Sequence, residues 1–449
     1  MSKRAIKKES IKRYAQNFHE DRTKKVIADA VIKNGLNDVA MNYESIANMH
    51  YNFSEEIDVG KVTNQKKSGR CWMFAALNNI RYSISDKLNI KNHDFELSQS
   101  YTMFWDKLEK ANYFLENIIE TKDMELDSRK VMWLLSNPTN DGGQWDMFTG
   151  IIEKYGIVPK YIMPESYSSS NSAVMNKILN LKLRDNAKIL RKNYKRGVSF
   201  SELRDKKENM IDEIYSILSY FLGNPPQSFD FEYRNNDNEF YRDGNISPQE
   251  FYQKYSEVKM KDYVSIINAP TGDKPFHQTY TVEFLGNVVD GQQIHYLNLD
   301  IEKLKELSIA QIKDGEPVWF GCDVGQMSDR DLGIMDTELY NYEDILNTDF
   351  TLDKGERLQY GESVLTHAMV FTGVNLCNGN PRRWKVQNSW GEEAGNKGFF
   401  VMSDNWFEEF NYEVVINKKY LSKELLQDYQ KEAVLLKPWD PMGSLACKY

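Results

Sequence analysis

Residues Gln65–Leu88 read QKKSGRCWMFAALNNIRYSISDKL and set a single cysteine, Cys71, between a Gly-Arg pair and a tryptophan. Ser68-Gly69 supplies a turn in which the backbone can approach a ligand, and Cys71 follows where WMFAALNNI begins a helix with an apolar face to bury. A thiol is a weak nucleophile until ionised. A helix N-terminus favours the thiolate, and a neighbouring imidazolium favours it further. Cys71 therefore reads as a nucleophile, against the alternative of a small core residue packed beneath Trp72 and Phe74.

The remaining residues must choose between those readings. Gln65 lies shortly before Cys71, so its amide and the Cys71 N–H can both donate to an oxyanion, usually the largest stabilising effect in acyl transfer. Of the six histidines, His19, His50, His93, His277 and His295 lie in polar or mixed surroundings that suggest no partner. His367 differs: GESVLTHAMVFTGVN puts it on an apolar strand, where a core histidine is the alternative reading. VQNSWG follows on the next strand of an antiparallel pair, and Asn388 across from His367 fixes its tautomer so that the other nitrogen faces the thiol.

Composition narrows the function classes. A chain of 449 residues, 41% hydrophobic and 13% aromatic, can hold two or three domains or one enlarged by insertions. With 57 basic and 66 acidic residues the net charge is −9, which argues against a whole-surface affinity for nucleic acid. One local patch, Arg184, Lys188, Arg191, Lys192, Lys195 and Arg196, reads first as a solvated helix face and second as a nucleic-acid footprint. The basic N-terminus leads into no apolar segment, and no run reaches the roughly eighteen apolar residues of a membrane span, so a cytoplasmic location off the membrane is expected. Cys71, Cys322, Cys377 and Cys447 form no CxxC pair and are expected to be free thiols. No metal site, nucleotide loop or cofactor is expected.

Along the chain, helices come first and sheet last. Helical spacing marks Ser10–Phe18 and Lys24–Ile32. Ser98 or Ser100 caps a long helix in ELSQSYTMFWDKLEKANYFLENII, and a Gly142-Gly143 turn precedes a helix that stops near Gly156. Residues 170–260 are rich in Lys, Arg, Asn and Glu with helical periodicity and look inserted. From Val264 onward the segments VSIINAP, QTYTVEF, EPVWFGCDV, THAMVFTGVN, RRWKVQNSWG, GFFVMSD and YEVVINKKY read as an antiparallel sheet or barrel.

Gln, Cys, His and Asn in that order resemble the papain-like cysteine peptidases. The chain departs from their pattern in reading SGRCW at the nucleophile and in placing His367 almost 300 residues after Cys71, where about 130–150 is usual. The blocks QKKSGRCWMFA, ELSQSY, PVWFGCDVG, THAMVFTGV, QNSWGEEAGNKGFFVMSDNWF, YEVVINKKY and PWDPMGSLA are similar to the bleomycin hydrolase or aminopeptidase C family over nearly the whole chain.

That resemblance implies an α+β, papain-like fold: a helical half packed on an antiparallel, β-barrel-like half, with a large mainly helical insertion. The corresponding divisions are an N-terminal helical extension at 1–60, the nucleophile half at 61–165, the insertion at 166–300, the β half at 301–436 and a C-terminal arm in the cleft at 437–449. It further implies a cysteine aminopeptidase of broad specificity, extending to bleomycin-like amides, that works as a homohexamer with its sites facing an internal chamber. Cys71 would be the nucleophile, His367 the general base and later acid, Asn388 its orienter and Gln65 the oxyanion donor. Gly142 and Gly143 would bind extended substrate, unless they are only a turn, and Trp390 and Ala446 would also contact it. The family's arm presents its terminal carboxylate to the substrate amine; this chain runs on through Cys447, Lys448 and Tyr449, so self-trimming is expected. An endopeptidase or acyltransferase on the same fold is the alternative, with nucleic-acid binding as a secondary role.

Overall fold

The computed structural model describes residues 4–90 and 95–446. His93 and the Cys447–Tyr449 overhang lie outside the described residues. The strands in chain order are β1 (Glu55–Glu56), β2 (Phe229–Arg234), β3 (Phe240–Ile246), β4 (Tyr263–Ile267), β5 (Gln278–Val282), β6 (Tyr296–Asn298), β7 (Val318–Cys322), β8 (Ser328–Asp329), β9 (Ile334–Met335), β10 (His367–Cys377), β11 (Asn380–Gln387), β12 (Phe399–Ser403), β13 (Asn411–Asn417) and β14 (Val434–Leu436).

Twelve of these strands form one sheet in the order β14-β5-β6-β4-β13-β7-β10-β11-β12-β9-β8, with β1 added to β10. The pairings are antiparallel except β4 with β6, β9 with β12 and β5 with β14. Apolar runs such as VWFGC and HAMVF occupy its centre because both faces are covered there. One face packs on the helical half through Trp319, Tyr412 and Val415. The other packs on helices Ile301–Lys313 and Asp404–Phe410 through Phe320, Phe371 and Trp384.

The helix predicted after Ser68-Gly69 spans Cys71–Lys87, and every residue from Cys71 to Arg81 is buried. A one-faced amphipathic helix was the expectation. Its first three turns are instead enclosed, by helices Gln99–Glu120 and Trp145–Tyr155 and by the sheet, which explains its weak apolar asymmetry. Arg81 is accommodated there through Nη2, which donates to the carbonyls of Val59 at 3.0 Å and Lys61 at 2.8 Å. Ser98 caps the Gln99 helix by accepting from Tyr101 N–H at 3.0 Å, while Ser100 lies within it.

The segment at 166–300 is less uniformly helical than its composition suggests. Helices Ala173–Lys195 and Phe200–Leu222 pack on the Gln99 helix, but β2 and β3 then form a two-stranded hairpin. Its aromatic residues stack, with Tyr233 over Tyr241 at 5.0 Å. The strands β4, β5 and β6 already belong to the main sheet, so sheet structure begins well before residue 301. The basic patch is partly used internally. Arg184 donates to the Leu135 and Ser136 carbonyls, and Arg191 to those of Thr121 and Met124, so two of its cations cap the ends of neighbouring helices.

At the N-terminus, helices Lys8–Glu20 and Arg22–Asn34 bury none of their residues. The chain first docks at Ala40 and Met49, against Ile334, Leu339 and Val401.

Two acids are enclosed between the Trp145 helix and the sheet. Burial pushes Glu413 up to about 8, opposed by the nearby Ser265 hydroxyl, and pushes Asp146 up to about 7, opposed by the His295 N–H. A carboxyl whose folded pKa is raised favours the native state below its unfolded pKa, and that advantage is lost as pH rises toward the folded value. Glu413→Gln should therefore unfold at a higher temperature than the parent at pH 8. The difference should grow by about 1.4 kcal/mol per pH unit above the ordinary carboxyl range and vanish near pH 4.5, as measured by thermal denaturation across pH.

Candidate active site

The segment 63–71 is stitched directly to the end of β11. Gln65 N–H donates to the Ser389 carbonyl at 2.8 Å, and Gly391 N–H donates to the Thr63 carbonyl at 3.1 Å. The Ser389 hydroxyl donates to Gln65 Oε1 at 2.6 Å, while Gln65 Nε2 donates one hydrogen to the Ser68 carbonyl at 2.7 Å. The amide predicted to meet an oxyanion is thus buried and fixed from two directions. Gly391 has φ +84, and a Cβ there would lie 2.3 Å from Asn64 Nδ2, so the close approach of these two segments requires glycine.

Asn388 lies inside this stitched segment. Its Oδ1 is 2.9 Å from His367 Nε2 and also accepts from Ser389 N–H at 2.7 Å. Two donors on one oxygen fix the amide orientation and assign the proton on Nε2, so His367 acts toward any further partner through Nδ1. His367 opens β10, aligned with Cys322 on β7, and is buried. The Trp390 ring lies 4.9 Å from the imidazole at a 35° tilt and covers it.

Cys71 begins its helix on the other side of the same turn. Its helix packs on β10, and the carbonyl of the next residue, Trp72, accepts from Trp319 Nε1 at 3.0 Å. No side chain caps the helix start at Arg70, so the dipole and first-turn N–H groups remain directed at the thiol end. Thus Gln65, His367 and Asn388 are joined by consecutive contacts through Ser389, and Cys71 stands six residues beyond Gln65 at the head of the helix lying on the His367 strand.

The other residues expected at the site fall on a second line. Gly143 forms an antiparallel bridge with Ala446, and Gln144 Nε2 donates to the Ser444 carbonyl at 2.8 Å. The C-terminal segment therefore lies along the glycine strip. It is secured upstream by β14 on β5, by Asp440 with buried Lys274 at 3.0 Å, and by Arg129 over the Trp439 ring at 3.7 Å. A Cβ on Gly143 would come within 2.5 Å of the Trp72 ring, so the strip runs in contact with the residue after Cys71. The Gly142 carbonyl accepts from Lys110 Nζ at 2.6 Å.

Sequence reasoning missed several groups that hold these parts. Arg70, fully buried, forks onto Glu165 at 3.0 and 2.7 Å and donates to the Ser68 hydroxyl at 2.8 Å. Burial would raise the Glu165 carboxyl, but Arg70 and the Ser169 hydroxyl hold it below its ordinary range. An Arg immediately before the nucleophile was the available signal. Two histidines read as unpartnered do have partners: His277 Nδ1 meets Asp428 at 2.8 Å, and His295 Nε2 meets the Tyr429 carbonyl at 2.7 Å. Both partners come from more than a hundred residues away.

Residues 5–443 match the model of the Peptidase C1-like family. The chain belongs to that family. Among its members, Aminopeptidase C of Listeria monocytogenes serovar 1/2a is 52% identical over 441 residues, covering 98% of both chains. Bleomycin hydrolase of Gallus gallus is 45% identical over 393 residues, covering 86% of each. The crystal structure of PepW from Lactobacillus rhamnosis, 54% identical, superposes with a TM-score of 0.97 over 99% of this chain and 100% of that one. The Peptidase C1-like membership establishes the papain-like α+β fold and places the resemblance read from the motif blocks on the whole chain. No helix among the described residues is long and apolar enough to cross a membrane.

Proposed function

We propose that the protein is a cysteine aminopeptidase that releases N-terminal residues from peptides through an acyl-enzyme on Cys71. The observation that carries the exopeptidase reading is the Gly143–Ala446 bridge. In a papain-like cleft the glycine strip pairs with extended substrate, and here the chain's own C-terminal segment takes that position. A peptide can then enter only with its first residue, its ammonium facing the arm. The activity carried in the names of the Aminopeptidase C relatives is the same one.

In this reading Cys71 gives its thiol proton to His367 Nδ1, and the thiolate attacks the carbonyl carbon of the first peptide bond. Gln65 Nε2 and the Cys71 N–H stabilise the oxyanion. His367, oriented by Asn388, passes its proton to the departing amine, leaving a thioester. A water that gives a proton to His367 then attacks the thioester, releasing the amino acid and restoring the thiol. Gly142 and Gly143 align the substrate, Trp390 shields the imidazole and Ala446 closes the far side of the cleft. Bleomycin-like amides with a free amine fit the same chemistry.

The protein acts in the cytoplasm as a homohexamer with internal sites. Support for self-association comes from the Lys8–Glu20 helix, where Ile11, Tyr14 and Phe18 form an apolar stripe 54%, 55% and 46% exposed. Light scattering at assay concentrations should give six times the 52.5 kDa chain mass, and a monomer would exclude the hexamer.

Turnover of a fluorogenic aminoacyl amide should disappear in Cys71→Ala. The N-acetylated amide should be cleaved about 100-fold more slowly than the free amine by the parent, a difference of ~2.7 kcal/mol. A chain ending at Lys437 should lose much of that discrimination. Equal rates on both substrates by the parent would favour the endopeptidase reading.

A further inference from the structure

Asp141 immediately precedes the glycine strip, and its carboxylate is buried, with 4% of the side chain exposed. Four groups from three separate segments converge on it. Gly69 N–H donates to Oδ2 at 3.0 Å, and so does the Ser172 hydroxyl. Asn176 Nδ2 donates to Oδ1 at 2.8 Å, and Lys107 Nζ, whose side chain is fully buried, lies 2.8 Å from the same oxygen. The residue is tied a fifth time through its backbone, whose carbonyl accepts from Trp72 Nε1 at 2.7 Å.

These contacts bracket the nucleophile. Gly69 stands two residues before Cys71 and Trp72 one residue after it, while Gly142 and Gly143 continue directly from Asp141. Lys110, one helical turn beyond Lys107, holds the Gly142 carbonyl at 2.6 Å and the Asn140 carbonyl at 3.1 Å. The start of the insertion closes the arrangement: Lys67 N–H donates to the Ser170 carbonyl at 3.0 Å, and Ser172 N–H returns to the Lys67 carbonyl at 3.3 Å.

We propose that Asp141 is a positioning residue for the peptidase reaction, one anchor that holds the turn delivering Cys71 and the strip aligning the substrate in fixed relation. The proposal rests on the aminopeptidase reading above. A buried ion pair contributes little net stability compared with apolar packing, so its value here lies in geometry. The Gly69–Arg70 peptide leads directly into the Cys71 N–H proposed as an oxyanion donor, and the Asp141 peptide leads directly into Gly142. Displacement of either by about 1 Å can cost on the order of 100-fold in rate. The start of the insertion, through Ser172 and Asn176, thereby becomes a strap on the active-site turn.

The test uses the full-length protein with a free-amine aminoacyl amide, measuring kcat, KM and melting temperature separately. Asp141→Asn alone strands Lys107, so it is combined with Lys107→Gln, which removes both charges together. The double variant should melt near the parent temperature yet lose roughly ten- to a hundred-fold in kcat with KM changed less than about threefold. Ser172→Ala removes one hydroxyl donor and leaves no buried charge unpaired. It should lower kcat by about threefold with KM unchanged. A folded double variant with parental kcat, or a loss confined to KM, would overturn the proposal; if the double variant does not fold, parental kcat in Ser172→Ala overturns it. An inactive parent would sink the aminopeptidase reading and this proposal with it, whereas an active parent with indifferent variants would sink only the role of Asp141.

Discussion

The structure depends on the join between the Gln65 turn and the Asn388–Gly391 segment. Two backbone hydrogen bonds and one hydroxyl bond link residues more than three hundred positions apart, and they meet where the helical half abuts the sheet. Neither half could supply this site alone. The helical half brings a helix N-terminus and an amide, and the sheet brings an imidazole already oriented by a neighbouring amide. Because Asn388 Oδ1 receives both His367 and Ser389, and Ser389 holds Gln65, the tautomer of the imidazole and the orientation of the Gln65 amide are coupled through one residue.

Around this join the protein uses buried polar groups where an ordinary core would use apolar ones. Arg70 with Glu165 and Lys107 with Asp141 are enclosed pairs on either side of the nucleophile turn. Breaking one such pair by removing a single partner costs about 3–5 kcal/mol, chiefly because the remaining charge is left buried. The same features make the turn rigid. It cannot shift without breaking several charge-assisted bonds together, which suits the proposed oxyanion donors, since such donors act best when in place before the reaction begins. The acids at Asp146 and Glu413 are different: burial raises both above the ordinary carboxyl range, outweighing the opposing Lys418 charge at Asp146, and they weaken the fold as pH rises.

Much of this was legible in the sequence because its signals are local. SGRCW before an apolar helix, a histidine on the apolar strand THAMVF and an asparagine in VQNSWG each state their structure within a few residues, and the β segments after Val264 appear where their patterns place them. Ser98 was one of two caps that the local pattern allowed; its backbone bond to distant Val158 holds it outside the helix, where its hydroxyl accepts the Tyr101 N–H, while Ser100 lies within the helix. What escaped depends on distant chain. Asp141, Glu165 and Lys107 look like ordinary charged residues until residues 31 to 95 positions away are folded against them. The β2–β3 hairpin did carry a readable signal, since Phe229, Phe231 and Tyr233 alternate in FDFEYR, but the surrounding helical composition masked it.

The central claim is that the imidazole of His367, set by Asn388, activates the thiol at the head of the Cys71 helix. Its most direct test is the rate of alkylation by iodoacetamide at pH 6, with the modified residue located by peptide mass spectrometry, in the parent and in His367→Ala. At that pH an unassisted thiol is almost wholly protonated and reacts slowly. Labelling should be rapid and confined to Cys71 in the parent, with Cys322 and Cys377 unmodified, and its rate should fall greatly in the variant. Equal, slow labelling of Cys71 in both proteins would contradict it.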